Sequence, residues 1–197
     1  VLIAGATSSG KTTLANALLA EIAATGDRVL VLEDTVELQC AARDHVPLRT
    51  RSGVVSMTEL VRSSMRLRPD RVVVGEVRGA EALDLIKVWG TGNPGGVATI
   101  HAGSALGALL RLEQLILEVA VNPPRALIAE AVNVVIQIAG RGRKRRIENI
   151  ARIVGFDGVG YQLVDALETP FPELPPIPDA APAAATSSSP DQPGELL

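Results

Sequence analysis

The first segment of this sequence whose residue types suggest chemistry is a glycine-rich loop close to the start of the chain. It fits the Walker A pattern G-x-x-x-x-G-K-[ST] at every fixed position. In this pattern the glycines allow backbone N–H groups to surround phosphates, the lysine adds positive charge and the threonine hydroxyl is offered to Mg²⁺. A helix that begins at the loop adds the positive end of its dipole. The residues expected to bind ATP are Gly5, Ala6, Thr7, Ser8, Ser9, Gly10, Lys11, Thr12 and Thr13.

Acidic residues follow two further apolar segments that are predicted to be strands. One segment ends in Glu33-Asp34, with Glu37 one turn further on, and another ends in Glu76. Because parallel strands end along one edge of a sheet, these carboxylates are expected to lie near the phosphates. The first group could orient a water or accept its proton, and an acidic cap on the following turn is the structural alternative. Glu76 would hold Mg²⁺ through water, beside Thr12, or polarise the attacking water.

Two further polar residues are expected at the same edge of the sheet. His101 ends a fourth predicted strand, although a lone histidine at a strand end is more often structural. Arg78 follows Glu76 by two residues and could pair with Glu33 or Asp34, where an ordinary surface ion pair is equally consistent with the spacing.

Apolar patterning predicts the elements that must position these side chains. Strands alternate with helices up to residue 131, and three strands separated by turns follow, which indicates an α/β domain with a mostly parallel sheet and a C-terminal β-meander. The predicted strands are 1–4, 28–33, 46–51, 72–74, 96–100, 134–138, 146–154 and 161–164, and the predicted helices are 11–25, 57–67, 80–88, 105–119 and 124–131.

Composition narrows the classes of protein to consider. Hydrophobic residues make up 47% of the chain but aromatic residues only 2%, so the core must be aliphatic and an aromatic platform for single-stranded nucleic acid is nearly excluded. The single cysteine, Cys40, excludes an internal disulfide framework and fits a reducing compartment. The longest uncharged stretch, 88–110, is broken by glycines and a proline and does not predict a membrane span.

The C-terminal segment differs from the rest of the chain. Residues 170–197 hold 8 of the 13 prolines, four acidic residues and no basic one, so 19 basic and 18 acidic residues remain in 1–169. We expect an ATPase domain over residues 1–169 and a disordered tail over 170–197, because the tail has too little apolar surface to offset the entropy of ordering it. A proline-rich recognition peptide is the functional alternative for the tail.

Four ordered blocks resemble one family, the traffic ATPases of type II secretion, type IV secretion and type IV pili. These are RecA-like P-loop NTPases that act as hexamers. The blocks are the Walker A loop 5–12, an acidic "Asp box" at 31–37, an atypical Walker B segment at 67–79 and a "His box" at 90–102. The continuation through residues 103–115 is most similar to TrbB-type conjugal transfer ATPases, and the resemblance extends to about residue 155.

The resemblance implies roles for the residues identified above. Lys11 and Thr12 would bind phosphate and Mg²⁺, Glu33 would be the general base, Glu76 the Walker B acid and His101 a sensor of the γ-phosphate. The protein would hydrolyse ATP as a homo-hexamer at the cytoplasmic face of the inner membrane, bound to inner-membrane components of a secretion or conjugation machine.

Two departures from the family pattern modify these expectations. Asn93 stands where many members carry histidine, and the family's N-terminal domain and linker precede the Walker A loop with which this sequence nearly begins. Family members take phosphate-contacting arginines from that domain, and a supplied arginine can raise turnover by roughly 10³ to 10⁵. We therefore expect this chain to bind nucleotide and to hydrolyse it slowly.

Alternative functions are distinguished by missing or additional motifs. The sequence has no Asn/Thr-Lys-x-Asp segment of a GTPase and no Leu-Ser-Gly-Gly signature of an ABC subunit. A small-molecule kinase, a nucleotide-dependent assembly module with little turnover, and a DNA-binding motor remain as alternatives. The basic cluster could form a solvated hairpin turn, or contact nucleic acid or a membrane surface weakly through salt-sensitive phosphate contacts. Its members are Arg141, Arg143, Lys144, Arg145 and Arg146.

Overall fold

The computed structural model describes residues 1–168, which form one eight-stranded sheet with helices on both faces. The strands are β1 (Leu2–Gly5), β2 (Val29–Glu33), β3 (His45–Arg49), β4 (Arg71–Val74), β5 (Val97–Ile100), β6 (Val134–Ala139), β7 (Arg146–Phe156) and β8 (Tyr161–Asp165). The helices are α1 (Lys11–Ile22), α2 (Met57–Ser64), α3 (Glu81–Gly90), α4 (Ala105–Ile116) and α5 (Arg125–Ala131), with short 3₁₀ turns at Met65–Leu67 and Gly142–Lys144.

The strand order explains why one edge of the sheet gathers polar side chains. The order is β3-β2-β4-β5-β1-β6-β7-β8, in which the first six strands run parallel and β7 and β8 run antiparallel to their neighbours. The predicted α/β sheet with C-terminal antiparallel strands is therefore confirmed. Because β1 lies between β5 and β6, the loop that follows β1 has one neighbouring strand on each side.

The central strands are buried on both faces, which accounts for their continuous apolar sequence. Successive residues of β1 point to different cores: Leu2 belongs to the core that also contains residues of α2, α3, α4 and α5, whereas Ile3 belongs to the core that contains residues of α1. Strands β2, β4, β5 and β6 also contribute to both layers, with Val72 and Val73 of β4 on opposite faces. The aliphatic core expected from the composition is thus divided by the sheet into two parts.

Most predicted elements are present, and the differences lie at their ends. α1 ends at Ile22, three residues earlier than predicted, because the chain turns before Gly26, whose φ of 77° suits glycine. The helix predicted over 57–67 changes to a 3₁₀ turn after Ser64. Ser56 begins that helix with a capping box: its hydroxyl accepts from the backbone N–H of Glu59, whose carboxylate accepts from that of Ser56.

Strand β3 forms one edge of the sheet and pairs only with β2 among the described strands. It carries Pro47 opposite Val31, and its outward side chains include His45 and Arg49. Proline is tolerated there because an edge strand has one side without a partner.

No helix within residues 1–168 is long and apolar enough to cross a membrane. The domain boundary predicted at residue 169 and the predicted disorder of 170–197 lie outside the described residues.

Candidate nucleotide-binding and catalytic site

The glycine-rich loop joins the carboxyl end of β1 to the first turn of α1. Its turn needs left-handed backbone at Ser8 (φ 62°) and Gly10 (φ 103°). A side chain on Gly5 would place its Cβ 2.5 Å from Oγ of Ser9 and 2.8 Å from the carbonyl oxygen of Ile138, so only glycine fits. The Ser9 hydroxyl is buried and has no hydrogen-bond partner within residues 1–168.

The lysine of the loop lies across the loop itself. Nζ of Lys11 donates to the carbonyl oxygens of Gly5 and Ala6, both at 3.1 Å, and the side chain is buried. Burial lowers the pKa of Lys11 below its usual range, while the nearby Glu76 carboxylate opposes that shift. A partly desolvated ammonium that is held by two carbonyls can exchange them for phosphate oxygens, which are stronger acceptors.

Glu33 ends β2 and is almost completely buried. Its Oε1 accepts hydrogen bonds from the backbone N–H groups of Glu37 (2.9 Å) and Leu38 (2.8 Å), so this carboxylate organises the acidic turn that follows. The absence of a side chain on Gly75 allows the close approach of Glu33, because a Cβ there would lie 3.3 Å from its Cγ. The Glu33 carboxylate is therefore fixed in position by its surroundings.

Glu37 is hydrogen-bonded to Thr12, the residue that was expected to bind Mg²⁺. The hydroxyl of Thr12 donates to its Oε2 at 3.1 Å, and the side chain of Asn16 donates to its carbonyl oxygen at 3.2 Å. Asn16 also accepts from the backbone N–H of Gln39. The first turns of α1 thus hold the acidic turn against the phosphate-binding loop.

Arg78 joins two of the acidic segments. Its guanidinium contacts Asp34 (Nη1 to Oδ2, 2.5 Å) and Glu76 (Nε to Oε2, 2.6 Å). Of the two partners expected from the sequence, Asp34 is the one found, and no contact with Glu33 is present. The pairing with Glu76, and then Asp34, raises the pKa of Arg78.

His101, directly after β5, lies between two charged groups. Its Nε2 is 2.6 Å from Oε1 of Glu76, and its Nδ1 is 3.5 Å from Nζ of Lys11. The histidine therefore belongs to the same cluster as the loop lysine and the acid that follows β4.

These groups line a cavity of about 330 Å³ at the carboxyl edge of the sheet. Its walls include ten of the residues identified in the sequence, namely Thr7, Ser8, Lys11, Thr12, Glu33, Asp34, Glu37, Glu76, Arg78 and His101. Three other predicted residues, Ser9, Gly10 and Thr13, line a separate groove beside β6 and β7. Gly5 and Ala6 line neither and contact Lys11 through their carbonyl groups.

Sequence reasoning missed two residues that shape this cavity. Glu81, in the first turn of α3, is buried and accepts from the backbone N–H groups of Arg78 (2.7 Å) and Gly79 (2.9 Å). Thr99 of β5 donates its hydroxyl to the carbonyl oxygen of Gly75 at 2.7 Å. An acidic residue in the first turn of a helix was the available signal for Glu81.

Of two features identified in the sequence, Asn93 lies away from the candidate site, whereas the basic cluster 141–146 lies partly beside it. Asn93 donates to the carbonyl oxygen of Pro69, before β4 begins, and so lies away from the cavity at the other end of the sheet. The basic cluster 141–146 forms the exposed turn between β6 and β7, and within it Arg145 lies over Gly10 of the loop.

A comparison with protein-family models matches residues 1–149 to the family described as "Type II/IV secretion system protein". The chain belongs to this type II/IV secretion family. Among curated members, the conjugal transfer protein TrbB of Rhizobium radiobacter is 51% identical over 164 residues, covering 82% of this chain and 50% of that protein. The type IV secretion system protein PtlH of Bordetella pertussis is 37% identical over 166 residues, covering 76% of this chain and 49% of that protein.

A solved structure of the type II/IV secretion family has the same fold. The VirB11 ATPase from the type IV secretion system of Brucella suis, solved in complex with sulphate, superposes with a TM-score of 0.70 at 32% identity. The match covers 77% of this chain and 47% of that one. The predicted RecA-like fold and the predicted family are confirmed, and the chain spans about half the length of the relatives it matches.

Proposed function

We propose that this chain is the ATP-hydrolysing core of a hexameric motor that powers conjugative DNA transfer, a related type IV secretion step or pilus assembly. The observation that carries the proposal is the convergence of Lys11, Thr12, Glu33, Glu76 and His101 on one cavity beside the phosphate-binding loop. The membership of the family supports the role in secretion.

Phosphate binding is assigned to the loop. Lys11 would leave the carbonyl oxygens of Gly5 and Ala6 for the β- and γ-phosphates, and the backbone N–H groups of the loop would hold the remaining oxygens. The exchange keeps the buried ammonium paired throughout, which avoids the large cost of an isolated charge.

The oxygen donors of the site suit Mg²⁺, which in proteins usually binds one or two side-chain oxygens together with phosphate and water. Within residues 1–168 no group of three His, Cys, Asp or Glu side chains could hold a metal ion unaided. Thr12 would hold the ion directly and Glu76 through water. Bound there, Mg²⁺ would neutralise charge on the β- and γ-phosphates.

The chemical step is transfer of the γ-phosphoryl group to water. A bond forms between the water oxygen and the γ-phosphorus, the bond from that phosphorus to the β–γ bridging oxygen breaks, and the water proton passes to a carboxylate. We assign that role to Glu33, whose position is fixed by two backbone N–H groups. Glu37 is the competing candidate, because its carboxylate lies beside the Thr12 hydroxyl.

Ring formation is the second part of the proposal. α4 and the residue that follows it expose leucines at a helical spacing, Leu106, Leu110 and Leu117, each with more than two fifths of its surface accessible. Apolar residues on one exposed helix face favour contact with another chain. The neighbouring inner-membrane components and a location at the cytoplasmic face of the membrane are proposed on family membership alone.

The test is Mg²⁺-dependent phosphate release from ATP over a series of protein concentrations, with Lys11→Ala as the matched variant. We expect the activity per chain to rise with concentration in the wild type and to vanish in Lys11→Ala. Nucleotide binding with no turnover at any concentration would contradict the motor, and would favour an assembly module whose work is ring formation.

A further inference from the structure

Glu81 is a buried carboxylate beside the candidate site that the proposed chemical step does not use. It lies in the first turn of α3, and only 7% of its surface is accessible. Its Oε1 accepts hydrogen bonds from the backbone N–H groups of Arg78 (2.7 Å) and Gly79 (2.9 Å). Burying a carboxylate is costly unless hydrogen bonds replace the water around it, so these two contacts account for its position.

The same arrangement occurs next to strand β2, the neighbour of β4 in the sheet. Glu33 also accepts two consecutive backbone N–H groups through one oxygen, those of Glu37 and Leu38, in the segment that follows β2. Glu81 does this for the segment that follows β4. Each of the two segments that supply acidic side chains to the site is therefore held by one buried carboxylate.

The side chain of Arg78 joins these two segments. Its Nη1 lies 2.5 Å from Oδ2 of Asp34, the residue after Glu33, and its Nε lies 2.6 Å from Oε2 of Glu76. The side chain is 62% exposed, so packing against other side chains does not fix it. Its position depends on the two carboxylates and on the backbone from which it extends.

The part of the segment next to Glu76 is fixed by β5 instead. The Thr99 hydroxyl donates to the carbonyl oxygen of Gly75 at 2.7 Å, and the backbone N–H of Val77 donates to the carbonyl oxygen of Thr99 at 2.9 Å. Neither contact involves Glu81. Loss of that carboxylate should therefore displace the guanidinium and leave the acid that follows β4 in place.

We propose that Glu81 is a positioning residue for ATP hydrolysis, because it holds the backbone from which Arg78 extends. Through that guanidinium it fixes the distance between the segment with the candidate base Glu33 and the segment with Glu76. Such alignment matters because a displacement of about 1 Å can lower a reaction rate by about 10²-fold. The inference rests on the proposed function and adds to it a residue that contacts neither nucleotide nor water.

The first experiment separates the chemical step from nucleotide binding. Glu81→Ala should lower the single-turnover rate of ATP hydrolysis by about tenfold or more and change the Kd of ADP with Mg²⁺ less than about threefold, because Lys11 and the loop are unaltered. Glu81→Gln should recover most of the rate, since its amide oxygen can still accept from both N–H groups. Alanine is a good helix former, so Glu81→Ala is expected to fold.

Glu118 provides the matched control. A Cβ built on Gly79 would lie 3.3 Å from Oε2 of Glu81 and 3.7 Å from Oε2 of Glu118, so both carboxylates are close to the same residue. The side chain of Glu118 is exposed and has no hydrogen bond within residues 1–168. Glu118→Ala should therefore change neither the rate nor the Kd.

A double-mutant cycle tests whether Glu81 acts through Arg78. Arg78→Gln alone should lower the rate, and in that background Glu81→Ala should lower it further by less than about twofold, because no guanidinium remains to be positioned. Rates are expressed per folded chain, with the folded fraction taken from urea unfolding curves. A purely structural contribution of Glu81 would lower the rate by the same factor in both backgrounds.

The outcomes distinguish the inference from the proposed function. If the wild type releases no phosphate, or if Lys11→Ala hydrolyses ATP as the wild type does, the proposed function fails and the inference with it. If the wild type hydrolyses ATP and either Glu81→Ala or Arg78→Gln keeps its rate, the inference is overturned and the proposed function stands. The inference is also overturned if Glu81→Gln is as slow as Glu81→Ala, if ADP binding weakens as much as hydrolysis slows, or if the cycle shows equal factors.

Discussion

Nε2 of His101 lies 2.6 Å from Oε1 of Glu76, although the two residues follow different strands of the sheet. The other ring nitrogen of His101 lies 3.5 Å from Nζ of Lys11. The imidazole therefore connects the acid that follows β4 to the lysine that would contact the γ-phosphate. Movement of Lys11 toward a phosphate would change the surroundings of Glu76 through this ring.

The first prediction concerns this connection. His101→Gln should lower the rate of ATP hydrolysis by at least about tenfold, because it removes an interaction that aligns the reacting groups. The dissociation constant for ADP should change less than about threefold, because the loop and Lys11 remain. The control is His45→Gln, which alters the other histidine of the chain on the edge strand β3. Normal turnover in His101→Gln would contradict the sensor role.

The second prediction distinguishes the two candidate bases. Glu33→Gln should keep nucleotide binding and reduce turnover by at least about a hundredfold, as expected for a lost general base. Glutamine still has a carbonyl oxygen to accept from the N–H groups of Glu37 and Leu38, so the acidic turn should persist. Rates are compared with those of Glu37→Gln in single-turnover assays. A larger loss in Glu37→Gln, with Glu33→Gln near wild type, would assign the proton transfer to Glu37.

The third prediction is a pH dependence of stability at the other end of the sheet. The Thr25 hydroxyl, together with the guanidinium of Arg71 at 2.5 Å, holds the pKa of Asp27 below its usual range, while partial burial opposes the shift. A carboxyl whose pKa is lower in the folded state stabilises the protein above its unfolded pKa, and this contribution disappears as the pH falls through the folded pKa.

Asp27→Asn should therefore reduce the free energy of unfolding at pH 7 by about 0.2–1 kcal/mol, the range measured for ion pairs near the surface. The difference from wild type should shrink steadily below pH 4 in urea titrations. Asp44→Asn breaks the more exposed pair with Arg28 and should have the smaller effect at pH 7. A difference that persists unchanged at pH 2 would contradict the electrostatic explanation.

The fourth prediction concerns a buried cluster outside the candidate site. Tyr161 donates its hydroxyl to Oε1 of the buried Glu113 at 2.8 Å, and Arg125 donates Nε to both oxygens of that carboxylate at 3.0 Å. Burial, and then the Glu113 carboxylate, raises the pKa of Tyr161. Tyr161→Phe should destabilise the fold by about 1–3 kcal/mol, because it removes a donor from a buried charged group. Turnover per folded chain should not change.

A double-mutant cycle checks this cluster. If the tyrosine stabilises the protein through the carboxylate, Tyr161→Phe should cost less in a Glu113→Gln background than in the wild type. Equal costs in the two backgrounds, measured by chemical unfolding, would show that the two side chains act independently.

Much of the architecture was predictable because it follows from short patterns of apolar residues and glycines along the chain. Apolar runs between glycines predicted the buried strands, and the rule that parallel strands end at one edge correctly brought Glu33, Glu76 and His101 to one cavity. The loop sequence itself predicted where β1 would end and α1 would begin. These features depend on residues that are neighbours in the chain or on the direction of whole strands.

The remaining features depend on contacts between distant segments. The hydrogen bond from Thr12 to Glu37 depends on how the acidic turn folds back over α1, and the placement of Arg145 over Gly10 depends on the bend between β6 and β7. Neither periodicity nor spacing specifies the path of such loops. Arg78 is a further example. Its position in the sequence allowed pairing with either Glu33 or Asp34, and the structure shows that the partner is Asp34.

The proline in strand β3 restricts how copies of this domain could associate. Another chain could extend the sheet at that edge only by hydrogen bonding to its backbone, but Pro47 has no N–H group and His45 and Arg49 project outward beside it. Pairing of this edge strand with a strand of another chain, which can lead to aggregation, is therefore disfavoured. In the proposed hexamer, subunits that met through helix faces and loops could shift or separate without breaking the sheet.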